Sequence, residues 1–235
     1  MTMKAIRYLF LLCLIVAISC TKEQKIEKTY PAFIYSYYHI YGTFNNEDTS
    51  KIAQNVYLEG SPSVRAIRLN LMGQCHVTAD DYLSGTTTQS EQFLDLCNKF
   101  GDWCPNGYTY KYDPRYDLFE DISHDVCKDV ITDIKITSQQ DWDDIHTAGA
   151  ILNDCFIVKY KSYKSHIESG YKTPTEFEIV SEQISNIESI YLADLRYMIF
   201  YPQSMPINKG TYDINIHIVL EDEREFDYPA QYTFE

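Results

Sequence analysis

The chain has 235 residues and is strongly acidic, since 34 Asp and Glu residues outnumber 20 Lys and Arg residues and give a formal net charge of −14 at pH 7. At roughly 150 residues per domain, this length allows one large domain or two modest ones. The charge disfavours nucleic acid and anionic lipid headgroups as partners, because both repel an anionic surface. We therefore expect no nucleic-acid partner.

The first 19 residues have the three-part layout of a secretory signal peptide. Lys4 and Arg7 precede an uncharged, largely apolar run of 11 residues from Tyr8 to Ile18. That run is shorter than the roughly 20 residues that a membrane-spanning helix needs. The pattern predicts a signal peptide over residues 1–19 that is cleaved before Cys20.

Ala17-Ile18-Ser19-Cys20 resembles the lipobox of bacterial lipoproteins. The resemblance implies that Cys20 is lipidated through a thioether and that the mature chain is held to a membrane by acyl chains. Two or more chains give stable anchoring where a single chain does not. Ala17-x-Ser19 also fits an ordinary cleavage site, which would cut the same bond and leave Cys20 unmodified. We expect residues 20–30 to comprise the lipidated cysteine and a flexible polar tether.

Apolar and polar residues alternate along most of the remaining chain, and this period of two is typical of half-buried strands. It predicts strands over 33–41, 64–71, 130–137, 156–160, 195–201 and 212–220, with a hairpin that returns over 225–228. Helical spacing is limited to Ser90–Phe100, which Gly101 would end, and to a second candidate at Phe177–Ile190. Residues 31–235 are therefore predicted to be mainly β, as an antiparallel sandwich with one or two short helices. An immunoglobulin-like arrangement is one candidate for this sandwich. Residues 31–235 are also a candidate for division into two parts near 108–125.

Tyrosine is abundant, with 21 residues, and several of them cluster after Gly107 beside a carboxylate and a guanidinium. Aromatic faces that stack on sugar rings, with Asp and Arg bonding the hydroxyls, form a carbohydrate-binding platform. The candidate ligand-binding residues are Tyr108, Tyr110, Tyr112, Asp113, Arg115 and Tyr116. The alternative is that these rings cover the end of a sandwich, which is the commoner role of tyrosine. The segment Tyr108–Asp121 is either a long functional loop or a boundary between two parts of the chain.

Five cysteines follow Cys20, and an odd number in an exported chain leaves at least one thiol unpaired. Cys97 and Cys104 are close enough in sequence to form a disulfide, whereas Cys155 opens an apolar run and is expected to be a buried small hydrophobe. Metal-ligand residue types occur at Cys75-His76, Cys97, Cys104 and His124-x-x-Cys127 for zinc, and at Glu120-Asp121 and Asp141–Asp144 for calcium. None has the spacing of a zinc or EF-hand site, so we expect no metal and no cofactor.

After the predicted strand at 130–137, an acidic turn at Asp141-Trp142-Asp143 is followed by the element Gly149-x-x-Leu152-Asn153-Asp154. This stretch resembles a segment of Bacteroidetes exported lipoproteins of unknown function. Lys22-Glu23, just after Cys20, is loosely similar to the charged export signal of such proteins. The resemblance implies a lipid-anchored protein of the outer membrane, on its periplasmic or its outer face, and it implies no activity.

No nucleophile elbow, zinc-protease motif or phosphate-binding glycine loop occurs in the sequence. We therefore expect no catalytic residues and interpret the chain as a binding or structural module of the cell envelope, with a glycan or an envelope protein as its ligand. The alternative is a hydrolase that acts on surface polysaccharide, because 34 acidic residues supply many carboxylate pairs.

Overall fold

The computed structural model describes residues 26–40, 56–59, 66–71, 73–85, 87–104, 106–113, 118–119 and 124–234. The signal peptide, Cys20 and the start of the expected tether lie outside these ranges, as do Arg115 and Tyr116. The chain divides into two compact units, with boundaries at 29/30, 107/108 and 122/123.

The described residues of the smaller unit include a three-stranded sheet of order β1-β6-β7, formed by β1 (Ile26–Tyr30), β6 (Tyr108–Asp113) and β7 (Leu118–Phe119). β6 and β7 pair antiparallel, with Tyr112 opposite Phe119. The last five residues of the expected tether form strand β1, so the tether expectation is wrong over Ile26–Tyr30. The segment from Tyr108, expected to be either a loop or a boundary, begins with strand β6, so the loop alternative is wrong over Tyr108–Asp113, while a boundary between the two units lies at 107/108. Both segments gain backbone partners from chain that is distant in sequence, which local composition does not reveal.

Within the described part of the larger unit the strands form three sheets. The largest has the order β11-β10-β12-β4-β3 and is built from β3 (Val56–Glu59), β4 (Ala66–Leu69), β10 (Phe156–Ser162), β11 (Glu178–Gln183) and β12 (Met198–Pro202). The second has the order β14-β13-β9 and is built from β9 (Ile131–Ser138), β13 (Gly210–Leu220) and β14 (Glu225–Phe234). The third has the order β5-β2-β8 and is built from β2 (Ser36–Ile40), β5 (Gly73–Thr78) and β8 (Asp125–Cys127), of which β2 and β8 run parallel.

The alternation seen in the sequence determines which face of each strand is buried. Along β13, every second residue from Tyr212 to Leu220 is buried, and β10 buries alternate residues in the same way. Side chains from both sheets join one cluster of buried residues that includes Trp142. Each fully buried large apolar side chain contributes about 1.5–3 kcal/mol to folding. The protein is thus mainly β, with antiparallel sheets consistent with a β-sandwich, which confirms the predicted class.

Three short helices occur among the described residues, one or two more than expected: α1 (Ala79–Ser84), α2 (Thr87–Phe100) and α3 (Lys164–Glu168). The predicted helix at Ser90–Phe100 is confirmed as the main part of α2, and Gly101 follows it with a φ of +68°. The candidate helix at Phe177–Ile190 is wrong, since it contains β11 and a single 3-10 turn. Within the described residues, no helix has the length and apolar composition that crossing a membrane requires.

All five cysteines after Cys20 are free thiols. The expected disulfide between Cys97 and Cys104 is therefore not formed in this structure. Cys97 lies buried within α2, and burial raises the pKa of both the Cys97 and the Cys104 thiol. Cys155 is buried, as its apolar sequence context suggested.

Candidate functional site

Only part of the predicted sugar-binding platform lies within the residues that the structure describes. Tyr108, Tyr110, Tyr112 and Asp113 all lie within β6, so the structure places them on a strand of the smaller unit and not on a loop. Arg115 and Tyr116 lie outside the described residues. The carbohydrate platform at this segment stays a prediction.

A polar groove lies elsewhere, beside β10 and β11 in the larger unit. Its volume of about 370 Å³ falls within the range of roughly 300–1,000 Å³ that is usual for small-ligand sites. Residues from the end of β10, from α3, from β11 and from the segment 186–191 line it. These elements are consecutive in the chain, so a single stretch from 160 to 191 builds the whole groove.

Strand register explains why polar side chains converge there. β11 pairs antiparallel with β10, with Val180 opposite Tyr160 and Glu178 opposite Ser162. Because side chains alternate between the two faces of a strand, Glu178, Val180 and Glu182 share one face, and that face continues the buried face of β10. Among the described strands β11 lies at the edge of this sheet, and its side chains are exposed or partly buried, so the polar side chains on this face are open to solvent.

Hydrogen bonds hold two of the groove carboxylates in place. Tyr160 Oη donates to Glu182 Oε1 at 2.7 Å, and Ser165 Oγ donates to Glu178 Oε2 at 2.8 Å. Burial, reinforced by the neighbouring Glu182, raises the pKa of Tyr160, so the phenol remains a donor at neutral pH. The carboxylates are therefore fixed acceptors with lone pairs left for a ligand.

The groove carries a net negative charge. Its lining contains the four glutamates Glu168, Glu178, Glu182 and Glu188 and one lysine, Lys164. The Lys164 ammonium lies 4.6 Å from the centroid of the Tyr191 ring, a cation–π arrangement that also brings an aromatic face to the groove. Such a site favours a neutral or cationic ligand that donates hydrogen bonds, and it disfavours phosphates and carboxylates.

A second group of reactive side chains lies where the loop after β9 meets the turn before β10. His146 Nδ1 is 2.9 Å from both carboxylate oxygens of Asp143 and 3.8 Å from Cys155 Sγ, while His146 Nε2 is 3.1 Å from Asp154 Oδ1. The hydrogen bond with Asp143 raises the pKa of His146 and lowers that of Asp143. Burial raises the pKa of the Cys155 thiol, so a thiolate nucleophile is disfavoured.

Sequence reasoning considered Asp143 for calcium and Cys155 for the core, but it did not connect them through His146. In the sequence these residues are related only by the spacings Asp-x-x-His and His-x8-Cys. Such spacings are too common in proteins to identify a site without the fold. The zinc candidates that sequence suggested, such as Cys75-His76 and His124-x-x-Cys127, are not members of this group.

Comparisons with protein-family models, with curated proteins and with solved structures found no match to this chain.

Proposed function

We propose that this protein is a lipid-anchored lipoprotein of the outer membrane whose β-rich domain binds a glycan in the groove beside β10 and β11. The signal-peptide layout and the lipobox-like sequence ending at Cys20 support the anchor. The groove, with its fixed carboxylates and its aromatic side chains, supports the glycan and is the observation on which this function rests.

The lining suits sugar hydroxyls, each of which donates and accepts hydrogen bonds. Glu178 and Glu182 supply acceptors, Lys164 supplies donors, and the Tyr191 ring adds an apolar face against which a pyranose ring can pack. Because the glutamates outnumber the lysine, we propose neutral or amino sugars as the ligand class, with sulfated glycans and uronic acids excluded by repulsion.

Hydrolysis of a polysaccharide is the second candidate, because the groove contains several carboxylates. Glycosidases hold their two carboxyl groups about 5–9.5 Å apart. Glu178 and Glu182 are four residues apart on one strand, which separates their backbones by about 13 Å at roughly 3.3 Å per residue. Different hydroxyl donors hold the two side chains, Ser165 for one and Tyr160 for the other. This pair is better suited to contacting successive sugars than to cleaving one bond, so we favour binding.

Affinity electrophoresis of the full chain in gels that contain neutral, amino-sugar or acidic polysaccharides tests the proposal. We expect retardation by at least one neutral or amino-sugar polymer, none by acidic ones, and a loss of retardation in Glu182→Gln and Tyr191→Ala. Glu91→Gln, an exposed charge-matched change on α2, is the control and should migrate like the wild type.

Two outcomes would contradict glycan binding in the groove. Retention that survives both groove substitutions but disappears when Tyr110 and Tyr112 are replaced by Ala would move the site to β6. Release of reducing sugar by the wild type, lost in Glu182→Gln, would establish the hydrolase instead.

A further inference from the structure

We propose that Asp143, His146 and Cys155 form a binding site for Zn²⁺, with a water molecule as the fourth ligand and with Asp154 orienting the imidazole. The proposal is independent of the glycan groove, because none of these four residues lines it. It rests on the geometry of four side chains carried by two adjacent segments, a loop and a turn.

The three ligand atoms already lie near the separations that a bound zinc ion imposes. Bond lengths of about 2.3 Å for Zn–S and 2.0–2.2 Å for Zn–N and Zn–O place the ligand atoms of a tetrahedral site roughly 3.3–3.7 Å apart. His146 Nδ1 lies 3.8 Å from Cys155 Sγ and 2.9 Å from Asp143 Oδ1, and all three ligand atoms lie within 4.8 Å of one another. Side-chain adjustments of about 1 Å or less would complete the coordination.

The two imidazole nitrogens have different neighbours, and the division matches a metal site. Asp143 and Cys155 both face Nδ1, while Nε2 lies 3.2 Å from Asp154 Oδ2. A histidine that binds a metal through one nitrogen usually donates its other N–H to a carboxylate, which fixes the tautomer and the ring orientation. In the zinc-bound state the proton on Nε2 is held by Asp154, and Nδ1 gives up the proton that it shares with Asp143, so the Nδ1 lone pair faces the space between Asp143 and Cys155.

Both segments that carry the ligands are held rigidly. Asp143 Oδ1 accepts the backbone N–H groups of Ile145 and His146 at 2.8 and 2.6 Å, which closes a tight turn around the histidine. Next to it, Trp142 is fully buried and packs 5.4 Å from the ring of Phe156, measured between centroids. The loop is therefore fixed to the core, and its metal-ligand side chains are already in position in the absence of a metal ion.

Asn153 anchors the turn that carries Asp154 and Cys155. Its amide donates to Ile134 O at 2.7 Å and accepts from Ile136 N at 3.0 Å, so the turn is tied to strand β9. The Gly-x-x-Leu-Asn-Asp element singled out in the sequence ends at this turn. Its asparagine thus has a structural role, and its last residue, Asp154, orients the histidine.

Burial and ligand chemistry select the metal. Cys155 is 3% exposed, while the His146 and Asp143 side chains are 14% and 25% exposed, so the thiol forms the floor and the carboxylate forms the opening to solvent. A set of one sulfur, one nitrogen and one oxygen ligand suits Zn²⁺, whereas Ca²⁺ and Mg²⁺ prefer oxygen alone. On binding, the Cys155 S–H bond breaks and its proton passes to the solvent, as does any proton shared by Asp143 and His146.

Titration of the full chain with Co²⁺, a spectroscopic substitute for Zn²⁺, tests the site directly. We expect one equivalent to produce the intense visible bands of tetrahedral cobalt and a thiolate-to-cobalt charge-transfer band, both of which Zn²⁺ should remove by displacement. Cys155→Ser should abolish the charge-transfer band, and Cys75→Ser, which changes an exposed thiol, should leave it intact.

Calorimetric titration with Zn²⁺ supplies the second measurement. Asp154→Asn should weaken binding about 10–100-fold, as loss of a carboxylate partner to a ligating histidine does. His146→Gln should weaken it further. Circular dichroism of each variant shows whether it is folded.

Three results would overturn the proposal: no tetrahedral cobalt spectrum with the wild-type chain, a charge-transfer band that follows Cys75 and not Cys155, or undiminished Zn²⁺ binding by folded His146→Gln.

Discussion

Asp102 is a buried carboxylate whose replacement should destabilise the larger unit strongly. It follows Gly101, the glycine directly after α2, and is fully buried. Its Oδ1 accepts from Phe33 N at 3.0 Å and from Tyr171 Oη at 2.9 Å, and its Oδ2 accepts from Ile34 N at 2.8 Å. The Asp102 side chain thus accepts the backbone N–H groups of the segment that leads into β2, since these groups are not paired with a neighbouring strand.

The magnitude follows from the donors that Asp102→Ala would leave unpaired. Phe33 and Ile34 are fully buried, and each buried amide without an acceptor costs about 1–3 kcal/mol. Tyr171 is partly exposed, so its hydroxyl can bond to water instead. Desolvation raises the pKa of Asp102, which shows that burying its charge already opposes folding and offsets part of the loss. We expect a decrease of about 3 kcal/mol in the free energy of unfolding.

Asp102→Asn provides a graded comparison. Its single amide oxygen can keep the bonds from Phe33 and Tyr171, whereas its NH₂ group would face the Ile34 N–H. The loss of one bond predicts a decrease of about 1–2 kcal/mol. Asp95→Ala, at an exposed position on α2, is the control and should stay within about 0.5 kcal/mol of the wild type.

Urea unfolding at neutral pH, followed by fluorescence and circular dichroism, measures all three variants. An Asp102→Ala variant whose free energy of unfolding lay within about 0.5 kcal/mol of the wild-type value, the range of ordinary surface changes, would contradict this role of Asp102. Equal losses in the Ala and Asn variants would show that the charge, and not the count of hydrogen bonds, determines the effect.

Three further predictions concern other parts of the chain. Desolvation raises the pKa of Asp129, but hydrogen bonds from Lys128 and two other donors outweigh it and leave the pKa below its ordinary value. The stability that the Asp129 carboxylate contributes is present above its unfolded pKa of about 3.9 and is lost as pH falls through its folded pKa. The urea midpoint of the wild type should therefore fall more steeply below about pH 4 than that of Asp129→Asn. Gly73→Ala would place a methyl group against the end of the Leu195 side chain, and we expect a loss of about 1–3 kcal/mol by thermal unfolding that Leu195→Ala in the same chain partly reverses. Cys20→Ser should move the protein from the membrane fraction to the soluble fraction, and continued membrane retention would contradict the lipid anchor.

Alternation along the strands made the β class predictable. The long run of β13 shows why: buried and partly buried residues alternate from Tyr212 to Leu220, a pattern that a helix cannot satisfy. The hairpin from β13 to β14 was predictable for the same reason, since an acidic turn separates two alternating runs. Gly101 marked the end of α2 correctly, because a glycine readily adopts the positive φ that terminates a helix.

Pairing partners were not predictable in the same way. The segment Phe177–Ile190 has apolar residues at mixed spacing, and only its ladder with β10 makes Glu178–Gln183 a strand. β1 and β6 illustrate the same limit, since they lie about 80 residues apart in sequence and pair in one sheet. Backbone hydrogen bonds between distant segments leave no local trace in composition.

The sequence by itself determined the acidic composition and the strand-rich class, because these depend on composition or on neighbours along the chain. The proposed export and lipidation rest on the lipobox-like pattern that ends at Cys20. The tertiary structure decided that Glu178 and Glu182 face one groove. It also decided that the Asp143 carboxylate and the Cys155 thiol meet at one nitrogen of the His146 imidazole. Such convergence depends on strand register and on a loop anchored by Trp142, and contacts of that kind arise only when the packed core has positioned both segments.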